Sequence, residues 1–246
     1  MSDKHMKLLL HACCGPCSLE PARLLAQAGH DIAIAYMNSN IHPVSEYVRR
    51  LATLRAWAEE AGIPVIEGAY DAREWEDRAG AVAADPQADR RDRCRACYRL
   101  RLEEAARCAA GHGFDGISTT LTVSPYQYTE VIQEELVRAS RAYGVDSVFE
   151  DFRPFYDEAT RRSRALGMYR QNYCGCRISQ AEAEAERRER KAARAAEREA
   201  KREAHAEERA ATEAERAEKK RARQAYAEQQ ERKRRILKEF RKKRDD

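Results

Sequence analysis

Short β-rich runs alternate with longer amphipathic patterns between residues 7 and 152, and this alternation constrains the fold most strongly. Strands are predicted at Lys7–His11, Asp31–Tyr36, Pro64–Tyr70, Gly116–Val123 and Ser147–Phe152. Helices are predicted at Cys17–Ala28, Ser45–Ala61, Cys94–Gly111 and Thr129–Tyr143, and most end close to a glycine. Repeated strand–helix–strand units with right-handed crossovers build a parallel sheet covered by helices. We therefore expect a three-layer α/β domain that binds its ligand at the carboxyl ends of the strands.

Residue types divide the chain into two parts. All eight cysteines precede residue 180, whereas 181–246 consists mostly of Ala, Glu, Arg and Lys. Residues 181–246 contain 23 of the 46 basic residues and 17 of the 42 acidic residues, a net charge of +6. The rest of the chain therefore carries −2 of the total net charge of +4. Opposite charges recur there at helical spacing without apolar heptads. We expect a domain over residues 1–179 and an exposed, charged helical tail over residues 180–246.

The amino-terminal sequence MSDKHMKLLLHACC has too short an apolar run for a signal peptide. No later segment has the roughly eighteen apolar residues of a membrane span, so no membrane partner is expected. These features predict a cytoplasmic protein. In that reducing compartment a cysteine cluster indicates metal ligation or redox catalysis before structural disulfides.

Seven cysteines fall into three tight groups. The groups are Cys13, Cys14 and Cys17; Cys94 and Cys97; and Cys174 and Cys176. The second pair is predicted to open a helix, where backbone N–H groups and the helix dipole favour thiolate over thiol. Cys108 stands alone on the apolar side of the same helix and is interpreted as a buried small hydrophobe.

Four of these cysteines suffice for a metal centre. Cys13 and Cys14 from the first loop, with Cys94 and Cys97, would supply the four ligands of a [4Fe–4S] cluster. The same four would satisfy a structural zinc. A closed zinc site leaves no use for the remaining sulfurs, which favours redox chemistry.

The surplus cysteines have two interpretations. Cys17, Cys174 and Cys176 can bind a second metal beside the first. The Cys-Gly-Cys pair can instead form a small, strained and easily reduced disulfide ring.

Carboxylates and histidines at the same sheet edge allow further interpretations. Asp71 and Asp151 end the third and fifth predicted strands, and either can complete a metal shell. Alternatively, Asp71 acts as a helix N-cap and Asp151 is a solvated loop residue. His11 and His42 are also candidates, but a histidine in such a position is more often a hydrogen-bonded core residue than a metal ligand.

Several separate motifs resemble one family. LLLHACCGPCS, CRACYRLRL, STTLTVSPY and the closing DFRP…RSRALGMYRQNYCGC, together covering about residues 7–177, are similar to the cobalamin-independent epoxyqueuosine reductases called QueH. The resemblance implies reduction of the epoxide of epoxyqueuosine, at the wobble position of tRNA, to the alkene of queuosine. It also implies a [4Fe–4S] cluster on Cys13, Cys14, Cys94 and Cys97, and a neighbouring second mononuclear iron held by two cysteines and an aspartate.

The resemblance leaves the catalytic group less defined. It points to Cys174 and Cys176, as a redox pair or as ligands of the second metal, together with Cys17 and Asp71. The proton donor stays open among Asp71, Tyr173 and a water molecule. The first half also resembles the nucleotide-binding α/β domains, of the Rossmann-like PP-loop type, of tRNA-thiolating ATPases. Cysteines occupy the phosphate loop here and its glycine-rich sequence is absent, which argues against ATP use.

The expected partners are a tRNA carrying epoxyqueuosine and an electron donor that the sequence does not identify. Arginines around the second and third cysteine groups, such as Arg95, Arg99 and Arg101, are candidate phosphate contacts, and Tyr126 or Tyr128 could stack on a base. Two other functions remain open. One is a zinc-stabilised RNA-binding module without catalysis, and the other is a tRNA sulfur-transfer enzyme with a persulfide cysteine.

Overall fold

The computed structural model describes residues 5–245 of the chain. Within these residues, five parallel strands form one sheet in the order β3-β2-β1-β4-β5. The strands are β1 (Lys7–His11), β2 (Asp31–Tyr36), β3 (Val65–Glu67), β4 (Gly116–Thr119) and β5 (Asp146–Ser147). The strand order reverses between β1 and β4, which creates the crevice where such sheets bind ligands.

Eight α-helices connect and follow the strands in the described part of the chain. They are α1 (Gly15–Gln27), α2 (Val44–Glu60), α3 (Ala72–Trp75), α4 (Ala81–Ala84), α5 (Arg90–Gly111), α6 (Thr129–Tyr143), α7 (Tyr156–Ala165) and α8 (Arg177–Asp245). A π-helical turn, Glu76–Gly80, joins α3 to α4, and 3-10 turns cover Thr120–Val123 and Arg153–Phe155.

The helices cover both faces of the sheet. Leu8 and Leu10 point to one face and pack with residues of α1 and α7, whereas Leu9 points to the other and packs with α5 and α6. This alternation follows from the two-residue period of a strand. All three leucines are fully buried. The predicted three-layer α/β fold is confirmed.

The boundaries agree best where the pattern is local. β1, β2 and α6 have the predicted bounds, and the glycines after α1, α2, α5 and α6 have positive φ values of 68–88°. β3 and β5 are shorter than predicted. β5 has only two residues, because it lies at the sheet edge and pairs only with Gly116 and Ile117.

The segment between residues 153 and 179 contains α7, and α8 begins within it. The chain divides into two compact units, Met1–Ala183 and Glu184–Asp246. The second unit is helical through residue 245, as the charged pattern predicts. Among the described residues, no helix is both long and apolar enough to cross a bilayer.

Candidate metal and redox centre

Cys13, Cys14 and Cys17 form what we call the thiol triad. Their Sγ atoms lie within 4.8 Å of one another. The triad follows β1 directly, at the crevice between β1 and β4, and Cys14 is the N-cap of α1. Thiolates around one tetrahedral ion stand about 2.3 Å from the metal, so three sulfurs at this spacing can hold a metal ion.

The triad concentrates negative charge on one sulfur. Hydrogen bonds from Cys14 and Cys17 hold the pKa of the Cys13 thiol well below its usual range. The same hydrogen bonding to Cys13 raises the pKa of Cys14 to about 12 and that of Cys17 well above its ordinary value. A lowered thiol pKa favours the thiolate, which is the form that binds metal.

The loop between α7 and α8 contacts the triad. Gln171 donates from Nε2 to the Sγ of Cys14 at 2.9 Å. A Cβ atom at Gly15 would lie 2.6 Å from the Cε of Met168, so the end of the methionine side chain packs directly on this glycine. The sequence carries no local signal for the Gln171 contact, because it depends on how a distant loop folds back.

The other four grouped cysteines line a single cavity and are called the cavity cysteines. They are Cys94, Cys97, Cys174 and Cys176. Asn40, Trp75, Arg93, Tyr98 and Gln127 are among the other residues that line it. Its volume is about 20 Å³, room for roughly one water molecule or ion. A larger group would require the side chains to spread apart.

The predicted helix-opening position of Cys94 and Cys97 is wrong. α5 begins at Arg90, because Asp89 and Asp92 form a reciprocal capping box ahead of the cysteines. Both thiols therefore lie inside the helix, beyond the free backbone N–H groups. Burial raises the pKa of Cys94 to about 11 and raises that of Cys97.

The Cys174–Cys176 turn is held from several sides. Arg50 donates to the carbonyl oxygens of Cys174 and Tyr173 at 2.8 and 3.2 Å, and His42 N donates to the Gly175 oxygen at 2.9 Å. Gly175 has φ +154°, a conformation that residues with a Cβ rarely adopt. Burial raises the pKa of Cys174 to about 12. These contacts fix both thiols beside α5.

Three polar atoms of the cavity lining are unpartnered among the described residues: two are N–H groups, which fit a sulfur-rich anionic group, and one is an amide oxygen, which is an acceptor. Asn40 Oδ1, Trp75 Nε1 and Arg93 Nε are buried without a hydrogen-bond partner among the described residues. Such orphaned groups are rare unless a ligand, ion or water satisfies them. With four soft sulfur donors beside them, the N–H groups fit hydrogen bonding to metal-bound sulfur.

The predicted carboxylates take the structural roles considered for them. Asp71 caps α3 by accepting a hydrogen bond from Arg73 N at 2.9 Å, and its side chain is exposed. Asp151 pairs with Arg153 at 2.5 Å. Neither belongs to a group of three or more close metal-binding side chains among the described residues.

The histidines and the lone cysteine are also placed. Burial and the charge of Arg101 lower the pKa of His11 to about 3, and its Nδ1 lies 3.0 Å from the Thr119 hydroxyl. The His42 carbonyl accepts a hydrogen bond from the Tyr173 hydroxyl. Cys108 is half-buried against the α5–α6 side of the core.

Comparison with known proteins places the chain in a family. The model of the family described as "Epoxyqueuosine reductase QueH" matches residues 8–182. A protein of that name from Haemophilus influenzae is 34% identical over 193 residues, which cover 77% of this chain and 78% of the relative. The Acinetobacter baylyi relative is 36% identical over 180 residues (72% and 81%), and that of Thermotoga maritima is 34% identical over 195 residues (75% and 94%).

The fold, the two thiol groups and the family match together define a cysteine-rich α/β oxidoreductase. Within that class the chain belongs to the QueH family of epoxyqueuosine reductases. The family match ends near residue 182, before the second compact unit begins.

Proposed function

We propose that this chain reduces epoxyqueuosine to queuosine at the wobble position of tRNA, in the cytoplasm. The epoxide oxygen leaves as water when two electrons and two protons are taken up and the carbon–carbon double bond forms. The observation that carries the proposal is the gathering of seven buried or half-buried cysteines into two groups in a chain of this family. An external electron donor must supply the electrons.

The cofactor proposed is a [4Fe–4S] cluster on Cys13, Cys14, Cys94 and Cys97. Cys13 and Cys14 would come from the thiol triad, and Cys94 and Cys97 would come from the cavity. The cavity supports a rival set, Cys94, Cys97, Cys174 and Cys176, because those four line one space. Cys94 and Cys97 belong to both sets. When bound, such a cluster supplies electrons singly.

Cys174 and Cys176 are proposed to act beside the cluster, as a redox pair or, with Cys17 and Asp71, around a second mononuclear iron. Gln127 contacts this region directly, with its Nε2 3.6 Å from the Cys174 Sγ. Tyr173 is a weak proton donor, since burial raises the pKa of its hydroxyl to about 12. That leaves Asp71 or a water molecule for the proton.

The arginines expected to bind phosphate are mostly engaged. Arg99 pairs with Glu135 at 2.9 Å, and Arg177 pairs with Glu76 at 2.7 Å. Arg101 is buried. Exposed ion pairs of this kind are weak, so Arg99 and Arg177 can exchange them for phosphate. Other groups are also candidates for RNA contact.

A cleft supplies such groups. It has a volume of about 370 Å³, and its lining includes Arg91, Tyr128 and Arg153. Two acidic residues also line it, and they pair with the arginines: Glu130 with Arg91 at 3.7 Å and Asp151 with Arg153 at 2.5 Å. The Arg91 guanidinium lies 5.9 Å from the centre of the Tyr128 ring, so an aromatic surface and a cation face the same space. Thr129 Oγ1, also in the lining, is buried and lacks a partner among the described residues.

The two linings are neighbours in sequence, since Arg91 and Tyr128 directly follow two cavity residues, Arg90 and Gln127. Stacking on Tyr128, with phosphate near Arg91, would hold an anticodon-loop nucleotide while the modified base reaches the sulfurs. Tyr128 is preferred to Tyr126 as the stacking residue because it lines the cleft, whereas Tyr126 is 72% exposed and is not part of the cleft lining.

The experiment is anaerobic purification, followed by metal analysis, visible spectroscopy and nucleoside analysis of tRNA incubated with a reductant. A brown protein that contains iron and sulfide and converts epoxyqueuosine to queuosine would support the proposal. Colourless protein with one zinc per chain and no conversion would establish the zinc-stabilised RNA-binding module instead. Sulfur transferred to tRNA without conversion would favour the sulfur-transfer enzyme.

A further inference from the structure

Arg101 is a buried cation without a carboxylate partner. Its side chain is 1% exposed, and it donates from Nη2 to Asn38 Oδ1 at 2.6 Å. Its Nε atom has no hydrogen-bond partner, and it forms no ion pair with Asp or Glu in the described part of the chain. Burying an isolated charge is strongly unfavourable, so a guanidinium in this position needs an anion nearby.

The other buried arginines do not have this problem. Arg50 pairs with Glu46 at 2.7 Å, and Arg93 pairs with Glu182 at 2.9 Å. The charge of Arg101 lowers the pKa of Glu104, but burial outweighs it and raises that pKa to about 7. Glu104 is therefore only partly ionised at neutral pH. The sulfurs are the remaining source of negative charge.

Geometry connects Arg101 to both thiol groups. Arg101 follows Cys97 by four residues on α5, which places the two side chains on one face of the helix. Asn38, which accepts from Arg101, donates from Nδ2 to the carbonyl oxygen of Ala12 at 2.9 Å, and Ala12 precedes Cys13. Burial opposes the charge of Arg101, yet negative charge on the sulfurs of Cys97 and Cys13, when they are ionised, raises the pKa of Arg101 above its ordinary value.

We propose that Arg101 is a positioning residue whose fixed positive charge balances a metal–thiolate centre involving Cys97 and Cys13 and raises its reduction potential. The inference rests on the proposed function for the identity of that centre. A tetrathiolate centre carries net negative charge, and each electron added makes it more negative. A cation held nearby at low dielectric therefore favours metal retention and the reduced state.

The test compares three full-length variants purified without oxygen. Arg101→Gln removes the charge and keeps a hydrogen-bonding side chain, whereas Arg101→Lys keeps the charge. Arg107→Gln makes the same neutralising change at an exposed position on the same helix and is the matched control. Iron and sulfide content, and the ratio of reduced to oxidised cluster at fixed applied potentials, are measured for each.

We expect Arg101→Gln to lose metal or to show at least a tenfold lower reduced-to-oxidised ratio, a shift of about 59 mV for one electron. Arg101→Lys should stay close to the parent protein, and Arg107→Gln should match it. Failure of Arg101→Gln to fold, with folding and loading retained by Arg101→Lys, would also support a requirement for charge. Loss of folding in both variants would overturn the proposal, and so would a loaded Arg101→Gln with the parental potential.

The parent protein separates this inference from the proposed function. If it is colourless and contains zinc, the iron–sulfur proposal fails, and the role of Arg101 is decided by competition with a chelator. Zinc lost from Arg101→Gln at lower chelator concentration than from Arg107→Gln would support the counter-charge. Equal retention would overturn it.

Discussion

The thiol triad and the cavity cysteines reach similar burial by different routes. The triad comes from five consecutive positions, 13–17, where β1 ends and α1 begins. Two of the cavity cysteines lie in the first half of α5, and the other two lie in a turn almost eighty positions further along the chain. One group is therefore set by local backbone geometry, and the other only by tertiary packing.

Their electrostatics differ in the same way. Within the triad, neighbouring thiols stabilise one thiolate on Cys13. In the cavity, burial raises the pKa of Cys94, Cys97 and Cys174. Metal binding must therefore displace protons mainly from the cavity group, while the triad already offers an anionic sulfur.

The largest expected effect comes from the pair that belongs to both proposed ligand sets. Replacing either Cys94 or Cys97 by Ala should abolish most of the iron, sulfide and visible absorbance together, because a four-ligand cluster loses a thiolate. Metal analysis and spectra of anaerobically purified variants measure this. Cys108→Ala, on the same helix, is the control and should keep the cofactor. Full cluster retention in both variants would remove these residues from the ligand set.

The next prediction separates the two proposed ligand sets. In a Cys174→Ala/Cys176→Ala double variant, most of the brown chromophore should remain while conversion of epoxyqueuosine in tRNA stops. The parallel variant Cys13→Ala/Cys14→Ala should lose the chromophore. The reverse pattern would assign the cluster to the four cavity cysteines. Normal turnover in the first variant would make its two cysteines structural.

The features that could be predicted from sequence are those with a local cause. β1 and α6 follow from their apolar periodicity, and the thiol triad follows from its spacing. The start of α5 was missed because its capping box lies ahead of the cysteines, and α3 and α4 were missed because their helical runs are short. The cavity was unpredictable, since it forms only when Cys174 and Cys176 pack against α5. The ligand set itself remains a prediction.

A smaller effect concerns thiol reactivity in metal-depleted protein. At pH 7, a thiol with the pKa of about 11 given for Cys94 is ionised in roughly one molecule in ten thousand. Cys13, whose pKa is lowered, should keep its thiolate at this pH and below, and lose it only as the pH falls through that lowered value. Mass spectrometry after brief iodoacetamide treatment should find Cys13 modified first. Faster labelling of Cys94 would show that the two groups do not differ as described.

The smallest effect is expected from the charged tail, which lies outside the family match. Its end, ERKRRILKEFRKKR, is strongly basic in composition and lies partly outside the described side chains. Cations near phosphate release counterions and add salt-dependent affinity without sequence preference. Truncation after Ala183 should leave the chromophore and maximal turnover nearly intact and raise the tRNA concentration required, with a difference that shrinks as salt rises. Unchanged affinity at low salt would exclude the RNA role.

A second truncation, after Gln180, tests whether the first residues of the tail support the cavity cysteines but not the thiol triad. It removes Glu182, whose carboxylate pairs with Arg93 beside the cavity cysteines. Among the described residues, no ion pair links the triad to the segment that is removed. We therefore expect the shorter chain to hold its cofactor less firmly than the chain ending at Ala183, because Arg93 is left without its counter-charge. Glu182→Gln in the full-length chain should reproduce the loss. Equal iron content in both truncations would show that this ion pair does not support the cavity.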